Sequence, residues 1–174
     1  MIAVLQRVTT GKVKIGGLVT GSIDNGLVIL LGVHRDDKDE DINFLVDKIL
    51  GLRIFNDNNG KMNISLQDVK GSVLVISQFT LCGDWRKGRR PSFTKAADSD
   101  KGKLLYNRFI NEVRSRGINV ETGEFGAAME VSLVNSGPVT FVLDTHDRYS
   151  TVIHASVFVI SISYQKLWKE IFVL

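Results

Sequence analysis

Cysteine is almost missing from this chain: Cys82 is the only one in 174 residues. No intramolecular disulfide can form, and no cysteine cluster exists to hold a structural zinc, a usage that fits a reducing, cytoplasmic setting. Proline occurs twice, as Pro91 and Pro138, and low-complexity tracts are absent. With 44% hydrophobic and 24% charged residues, the composition excludes intrinsic disorder, whose mark is low hydrophobicity with high net charge. Long apolar runs are lacking too. The stretch Val157 to Ile162 is far shorter than the ~20 residues of a membrane-spanning helix, and Lys166, Lys169 and Glu170 follow it. The apolar patch from Met1 to Gln6 is too brief for a signal-peptide core, and Arg7 ends it. Without a secretory route, the sequon Asn63-Ile64-Ser65 has no consequence.

Familiar catalytic patterns are equally scarce. There is no Gly-rich phosphate loop, no zinc-protease helix motif, no G-x-S-x-G elbow and no recognisable cysteine–histidine pair. The imidazoles are His34, His146 and His154. His34 follows an apolar run and reads as a polar strand end rather than a base.

What is present suits one globular domain. The net charge of +3 is a mild preference for anionic partners, and its distribution says more than its size. Arg86, Lys87, Arg89 and Arg90 surround Gly88 in the densest positive cluster, with Trp85 beside them. Such a cluster either grips phosphates or is a solvated loop.

Short β-rich runs open the chain: Ile2 to Val8, Val13 to Ile15, Leu18 to Ile23 and Leu27 to Val33. Gly16-Gly17 and Asp24-Asn25-Gly26 punctuate them as turns, predicting an antiparallel meander. The unbroken apolar run Leu27 to Leu31 predicts a strand buried on both faces. Asp36 and Asp37 are read as caps of a first helix, which carries Ile42, Leu45, Val46, Ile49 and Leu50 at helical spacing and stops at Gly51. A second helix is read from Leu105, Phe109 and Val113, ending at Gly117. The remaining strands are Ser72 to Phe79, Met129 to Asn135 and Val139 to Leu143, the last two separated by Ser136-Gly137-Pro138. Helices that do not alternate regularly with strands predict an α+β class, an antiparallel β-barrel or roll with two main helices in a single domain.

Two segments draw attention as chemistry. At Ser77-Gln78-Phe79-Thr80, the apolar strand turns abruptly to hydroxyl and amide side chains. That change either satisfies neighbouring backbone groups or presents donors to a ligand from a rigid sheet. Asn135-Ser136-Gly137-Pro138-Val139-Thr140 reads as a plain turn or a functional one, and its X-Pro linkage is where a cis bond is tolerated.

Together these segments resemble the D-aminoacyl-tRNA deacylase family, whose signatures are a Ser-Gln-Phe-Thr strand end and an Asn-x-Gly-Pro-Val-Thr segment. The likeness continues in order through Met1 to Val8, Gly51-Leu52-Arg53-Ile54-Phe55, Gly60-Lys61-Met62-Asn63, Arg90-Pro91-Ser92-Phe93 and Thr122-Gly123-Glu124-Phe125-Gly126. It covers Met1 to about Thr145, so the expected organisation is a deacylase domain over 1–145 and an extension of unassigned role over 146–174.

The resemblance implies a homodimeric hydrolase that frees tRNA and the D-amino acid from D-aminoacyl-tRNA, a chiral proofreading step in translation quality control, with glycyl-tRNA mischarged on tRNA(Ala) as a further substrate. It implies that Ser77, Gln78, Phe79 and Thr80 form the reaction centre, with the Phe79 and Thr80 N–H groups stabilising the oxyanion. Thr80 resembles a nucleophile but has no base beside it in sequence, so the attacking water is expected to be assisted by the tRNA's own 2′-hydroxyl. Gly137 and Pro138 match a cis pair that enters the partner subunit's pocket and excludes L side chains, and Arg7 matches the residue that positions that pair. Phe125 and Met129 match positions around the terminal adenosine, or are ordinary core. Ala96 matches a small pocket-wall residue, and Arg86, Lys87, Arg89 and Arg90 are the expected phosphate contacts. No cofactor and no metal is expected. A related deacylase of opposite chirality carries a Pro-Gln-Ala-Thr-like segment and lacks the arginine, so Ser77, Phe79 and Arg7 favour D-specificity. A non-catalytic RNA-binding module is the rival of another class.

Overall fold

The computed structural model describes residues 1–149. Two compact units divide the chain, Met1–Leu143 and Asp144–Leu174, and of the second only 144–149 are described. His154 and the apolar run Val157 to Ile162 lie outside the described residues.

Strands β1 (Ile2–Ile15), β2 (Leu18–Ile23) and β3 (Gly26–Gly32) form the expected antiparallel meander. The two short runs read at its start are one strand with two partners. The first half of β1 pairs β3, from Ile2 opposite Gly32 to Val8 opposite Gly26, while its second half pairs β2 from Gly11 to Ile15. Then follow α1 (Asp39–Gly51), the small ribbon of β4 (Phe55–Asn56) and β5 (Met62–Ile64), β6 (Ser72–Ser77), α2 (Ser99–Ser115), β7 (Val120–Thr122) and β8 (Glu130–Asp144).

The main sheet runs β2-β1-β3-β6-β7, with β8 also paired to β1. The sheet is mixed, because β6 is parallel to both β3 and β7. Each parallel step follows a helix, α1 before β6 and α2 before β7, since parallel neighbours need a long crossover. The outer strands of this order nearly meet. A Cβ on Gly21 of β2 would stand 2.7 Å from the carbonyl oxygen of Thr122 in β7, so glycine permits a near-closure into a barrel. The α+β class with two main helices is as expected.

Alternation along the central strands feeds two cores. Leu27, Ile29, Leu31, Val73 and Val75 pack beneath the helices, whereas Val28, Leu74 and Ile76 join Val8, Val13 and Ile23 on the other face. This is why Leu27 to Leu31 tolerates no polar residue. The helices contribute Leu45, Ile49, Phe109 and Val113, all fully buried. Burial of each such side chain is worth about 1.5–3 kcal/mol.

The helix starts differ from their sequence reading. Asp36 and Asp37 do not cap α1: the helix begins at Asp39, and the Asp41 carboxylate accepts from the Lys38 N–H at 2.9 Å. Asp37 is buried instead, where it accepts from the Met1 ammonium at 2.7 Å and the His34 N–H at 2.6 Å. A buried carboxylate requires such partners, while an exposed cap contributes little by comparison. Helix α2 starts before its apolar stripe does, because its first turn is polar. Its cap is Asp98, whose carboxylate accepts from the Lys101 N–H at 2.8 Å.

Segment 136–138 does not divide β8 into two strands. Asn135 accounts for the continuity: its Oδ1 accepts from the Val139 N–H at 2.8 Å, and its Nδ2 donates to the Val139 carbonyl at 3.2 Å and to Thr140 Oγ1 at 3.1 Å. One amide side chain thus stands in for ladder bonds across the Gly-Pro step.

Candidate active site

Strand β6 pairs with β7 as far as Val75 and with β3 as far as Ser77, so its end at Ser77 is placed by the β3 ladder. Tyr106 of α2 adds a third restraint, donating from its buried hydroxyl to the Val75 carbonyl at 2.8 Å, a bond worth about 1 kcal/mol. Burial raises the pKa of the Tyr106 phenol, so it remains a protonated donor. Beyond Ser77 the backbone continues in strand fashion once more, with the Gln78 N–H donating to the Leu31 carbonyl at 2.8 Å, and then tightens into a 3-10 turn over Phe79–Cys82. Phe79 and Thr80 occupy the first positions of that turn, where helical geometry provides no acceptor for the N–H groups.

Ser77, Gln78 and Phe79 line a cavity of about 450 Å³ together with Phe125, Met129 and Ala97. The structure therefore joins the strand end to the Thr122–Gly126 segment, which are far apart in sequence. Phe79 is 58% exposed although apolar, and Phe93 meets its ring edge-on at 5.0 Å between centroids. Of this pair, Phe79 lines the cavity. Phe125 stands on the opposite side, where Gly102 lets it lie on α2; a Cβ there would reach 3.2 Å from the ring's Cζ. Phe125 also leans on Tyr106, with centroids 5.6 Å apart. Met129 lies over Gly123, whose lack of a side chain makes room for its Sδ.

Two expected site residues are placed otherwise. Ala96 does not line this cavity and bridges to His34, whereas its neighbour Ala97 lines it and donates its N–H to the Val33 carbonyl at 2.9 Å. Successive residues of an extended segment face opposite ways, so a shift of one exchanges wall for backing. Thr80 is not part of the lining; its Oγ1 accepts a hydrogen bond from Gln78 Nε2. An amide donor cannot take a proton from a hydroxyl, so this contact does not activate Thr80 as a nucleophile.

Gly137, Pro138 and Arg7 form a second constellation that does not line the cavity. The Gly137–Pro138 peptide bond is cis, Gly137 has φ +136°, and both residues are exposed. Behind them lies Arg7, 7% exposed, donating from Nε to the Ser136 carbonyl at 2.9 Å and from Nη1 to the Ile54 carbonyl at 2.6 Å and Asn56 Oδ1 at 3.1 Å. A Cβ on Gly137 would come within 2.7 Å of Val139 Cγ2 and 3.0 Å of Arg7 Nη2. Ile54 and Asn56 were not anticipated as part of this arrangement, since a backbone carbonyl carries no residue signature and a lone amide side chain carries little.

The basic cluster is the tip of a small ribbon closed by reciprocal bonds between Asp84 and Ser92, at 2.7 and 2.9 Å. Arg86, Lys87, Arg89 and Arg90 are exposed there, with Arg86 3.6 Å from the Asp84 carboxylate. Among the described residues no group of three histidine, cysteine or acidic side chains is positioned to hold a metal ion, and no helix is long and apolar enough to cross a membrane.

Comparison with known proteins gives consistent matches. The family model for D-Tyr-tRNA(Tyr) deacylase matches residues 4–144. A D-aminoacyl-tRNA deacylase of Thermosipho africanus is 57% identical over 145 residues, covering 83% of this chain and 97% of that protein. One from Bacillus pumilus is 56% identical over 147 residues, 84% of this chain and 100% of its own length. Among solved structures, the c-Myc DNA unwinding element binding protein superposes with a TM-score of 0.79 at 38% identity, covering 83% of this chain and 98% of that one.

Proposed function

This chain belongs to the D-Tyr-tRNA(Tyr) deacylase family, and on that premise we propose that it hydrolyses the ester between a D-amino acid and tRNA. The observation that carries this reading is the cavity in which the Ser77–Phe79 strand end faces Phe125 and Met129. Ser77, Gln78, Phe79 and Thr80 form the reaction centre, and the Phe79 and Thr80 N–H groups receive the developing oxyanion. Phe125 and Met129 pack against the terminal adenosine, where aromatic and thioether surfaces suit a base. The tRNA 2′-hydroxyl assists the attacking water. Arg86, Lys87, Arg89 and Arg90 contact phosphates, so their neutralisation lowers the salt dependence of KM; an unchanged slope would remove them from the interface.

The homodimer gives the Gly137–Pro138 tip its place. In the single chain this tip is exposed and outside its own cavity, and β8 around it carries exposed Val134, Phe141 and Val142. An apolar strand of that kind suits burial against a second copy. The tip then enters the partner subunit's cavity and leaves no room for an L side chain, because a steric clash rejects one enantiomer more strongly than added contacts favour the other. We expect Val142→Asp to yield monomers in sedimentation and to lose turnover with the dimer; a fully active monomer would place the tip elsewhere.

Activity extends to glycyl-tRNA mischarged on tRNA(Ala), since a pocket that reads the amino-acid backbone admits a residue without a side chain. The deacylase domain is assigned to residues 1–145 and the enzyme to the cytoplasm. Turnover lost on truncation after Thr145 would extend the domain, and exclusion of the tagged protein from the cytosolic fraction would overturn the location.

The deciding experiment compares matched D-tyrosyl-tRNA and L-tyrosyl-tRNA. Loss of the D ester with the L ester spared is expected. Preferential L cleavage would indicate the deacylase of opposite chirality, and tRNA binding without cleavage of either would indicate the RNA-binding module.

A further inference from the structure

We propose that a groove along the outer face of α2 holds phosphodiester groups of the tRNA strand just upstream of its terminal nucleotide; this rests on the deacylase reading, which places the ester-bearing end in the Ser77 cavity. The groove, about 320 Å³, is lined by Lys103, Asn107, Asn111 and Arg114, with Thr122 and Phe125 opposite. Lys103, Asn107 and Asn111 are spaced four residues apart and form one stripe of the helix. Arg114 lies one helical turn past Ile110 on the neighbouring row, its Nη2 held by the Val120 carbonyl at 3.2 Å.

The chemistry of this stripe is one-sided. It offers an ammonium, a guanidinium and two amides, and among the described residues no carboxylate lines the groove. A second groove between α1 and α2 shows the contrast. It contains Asp39 and Glu112, and its Arg108 is committed to Asp39 at 2.6 Å. Of the two, only the Lys103 groove presents cationic donors to an anion from solvent.

Position points to the same ligand. Phe125 lines both the reaction cavity and the groove, and Gly102 of the cavity immediately precedes Lys103 of the groove. A strand whose last base packs on Phe125 therefore leaves the cavity onto Lys103. The groove from Lys103 to Arg114 spans twelve residues, whose eleven helical steps cover about 16 Å, an extended track rather than a point site. Phosphate contacts supply sequence-independent grip and set register, which suits an enzyme that must act on more than one tRNA while its pocket reads little of the amino-acid side chain. The amides of Asn107 and Asn111 both donate and accept, so they also suit ribose hydroxyls.

The test uses the full chain with a Lys103→Glu variant, and Lys14→Glu as a charge-matched change outside the groove. On D-tyrosyl-tRNA the variant should raise KM at least roughly tenfold, the scale of a lost charge-assisted bond. The slope of log KM against log salt should fall by about 0.7 for each single-strand phosphate released. On 3′-O-D-tyrosyl-adenosine, which has no phosphodiester, that rise should be absent. Equal losses on both substrates, or a loss matched by Lys14→Glu, would overturn the groove. Direct binding of a short RNA with the tRNA 3′ sequence and no amino acid attached separates the two readings. If the wild type binds this RNA, the variant does not, and neither ester is cleaved, the groove stands and the deacylase reading fails; if the variant binds as well as the wild type, the groove fails.

Discussion

Arg7→Met should reduce hydrolysis of D-aminoacyl-tRNA about 100-fold or more and narrow the gap between D and L esters. Arg7 is the sole charged side chain among the buried polar residues of β1, and its bonds run to the Ser136 and Ile54 carbonyls and Asn56 Oδ1. It thereby links β1, the loop after α1 and the Gly-Pro segment of β8 through one planar fork, with Nη2 facing Gly137. Methionine fills much of the same space and supplies no donor, so the tip loses its backing. A displacement of about 1 Å at a positioned group is enough for a loss of this order. Leaving the buried Ile54 carbonyl unpaired also costs about 1–3 kcal/mol, and the part-buried Ser136 carbonyl adds less, so urea unfolding must accompany the kinetics. Arg7→Lys separates the effects: it keeps the charge and one bond, loses the fork, and should recover stability more than activity. A folded Arg7→Met enzyme with undiminished turnover and intact chiral preference would remove Arg7 from the site.

The same residue shows what a sequence exposes and what it withholds. Arg7 was identified through its family pattern, yet nothing in composition or periodicity points to Ile54 or Asn56, because the contacts are made by a backbone oxygen and an amide 47 and 49 residues away. The strands β1, β2, β3 and β6 and both helical stripes were legible, since burial on one or both faces leaves a period in the chain, whereas the two- and three-residue strands β4, β5 and β7 are too short to show one. Helix starts were less so. Asp37 looks like a cap and is a buried ion-pair partner, and α2 begins with a polar turn that carries no stripe. The strand end at Ser77 was visible as a change from apolar to polar residues. Its union with Phe125 and Met129 was not, because a cavity is made by the closure of the sheet and helix around it, and closure depends on contacts such as Gly21 against Thr122. Resemblance named Phe125, Met129 and Ala96 beside the strand end as site residues; of these three, Phe125 and Met129 line the cavity with it and Ala96 does not.

Removing the 2′-hydroxyl of the terminal adenosine should slow enzymatic hydrolysis of a 3′-linked D-ester by at least about 100-fold beyond its effect on the uncatalysed reaction, whereas Thr80→Ala should retain activity within about tenfold. The reasoning begins at Thr80. Its hydroxyl is engaged as acceptor by the Gln78 amide; the lining of the Ser77 cavity includes no histidine or lysine, and its one carboxylate, Asp98, is engaged as the cap of α2 by the Lys101 N–H at 2.8 Å. A threonine in that setting lacks a group to receive its proton, so it is poor as a nucleophile at neutral pH. In the proposed scheme the N–H groups at the first positions of the Phe79–Cys82 turn are the donors that stabilise charge without moving a proton. Proton handling is then left to the substrate's adjacent hydroxyl and water. The comparison should be made as the ratio of enzymatic to spontaneous rate for the ribose and deoxyribose esters, with tRNA binding measured separately. If Thr80→Ala abolished turnover in a folded, tRNA-binding protein while the deoxy ester was cleaved normally, the threonine would be the nucleophile and the RNA-assisted scheme would fall.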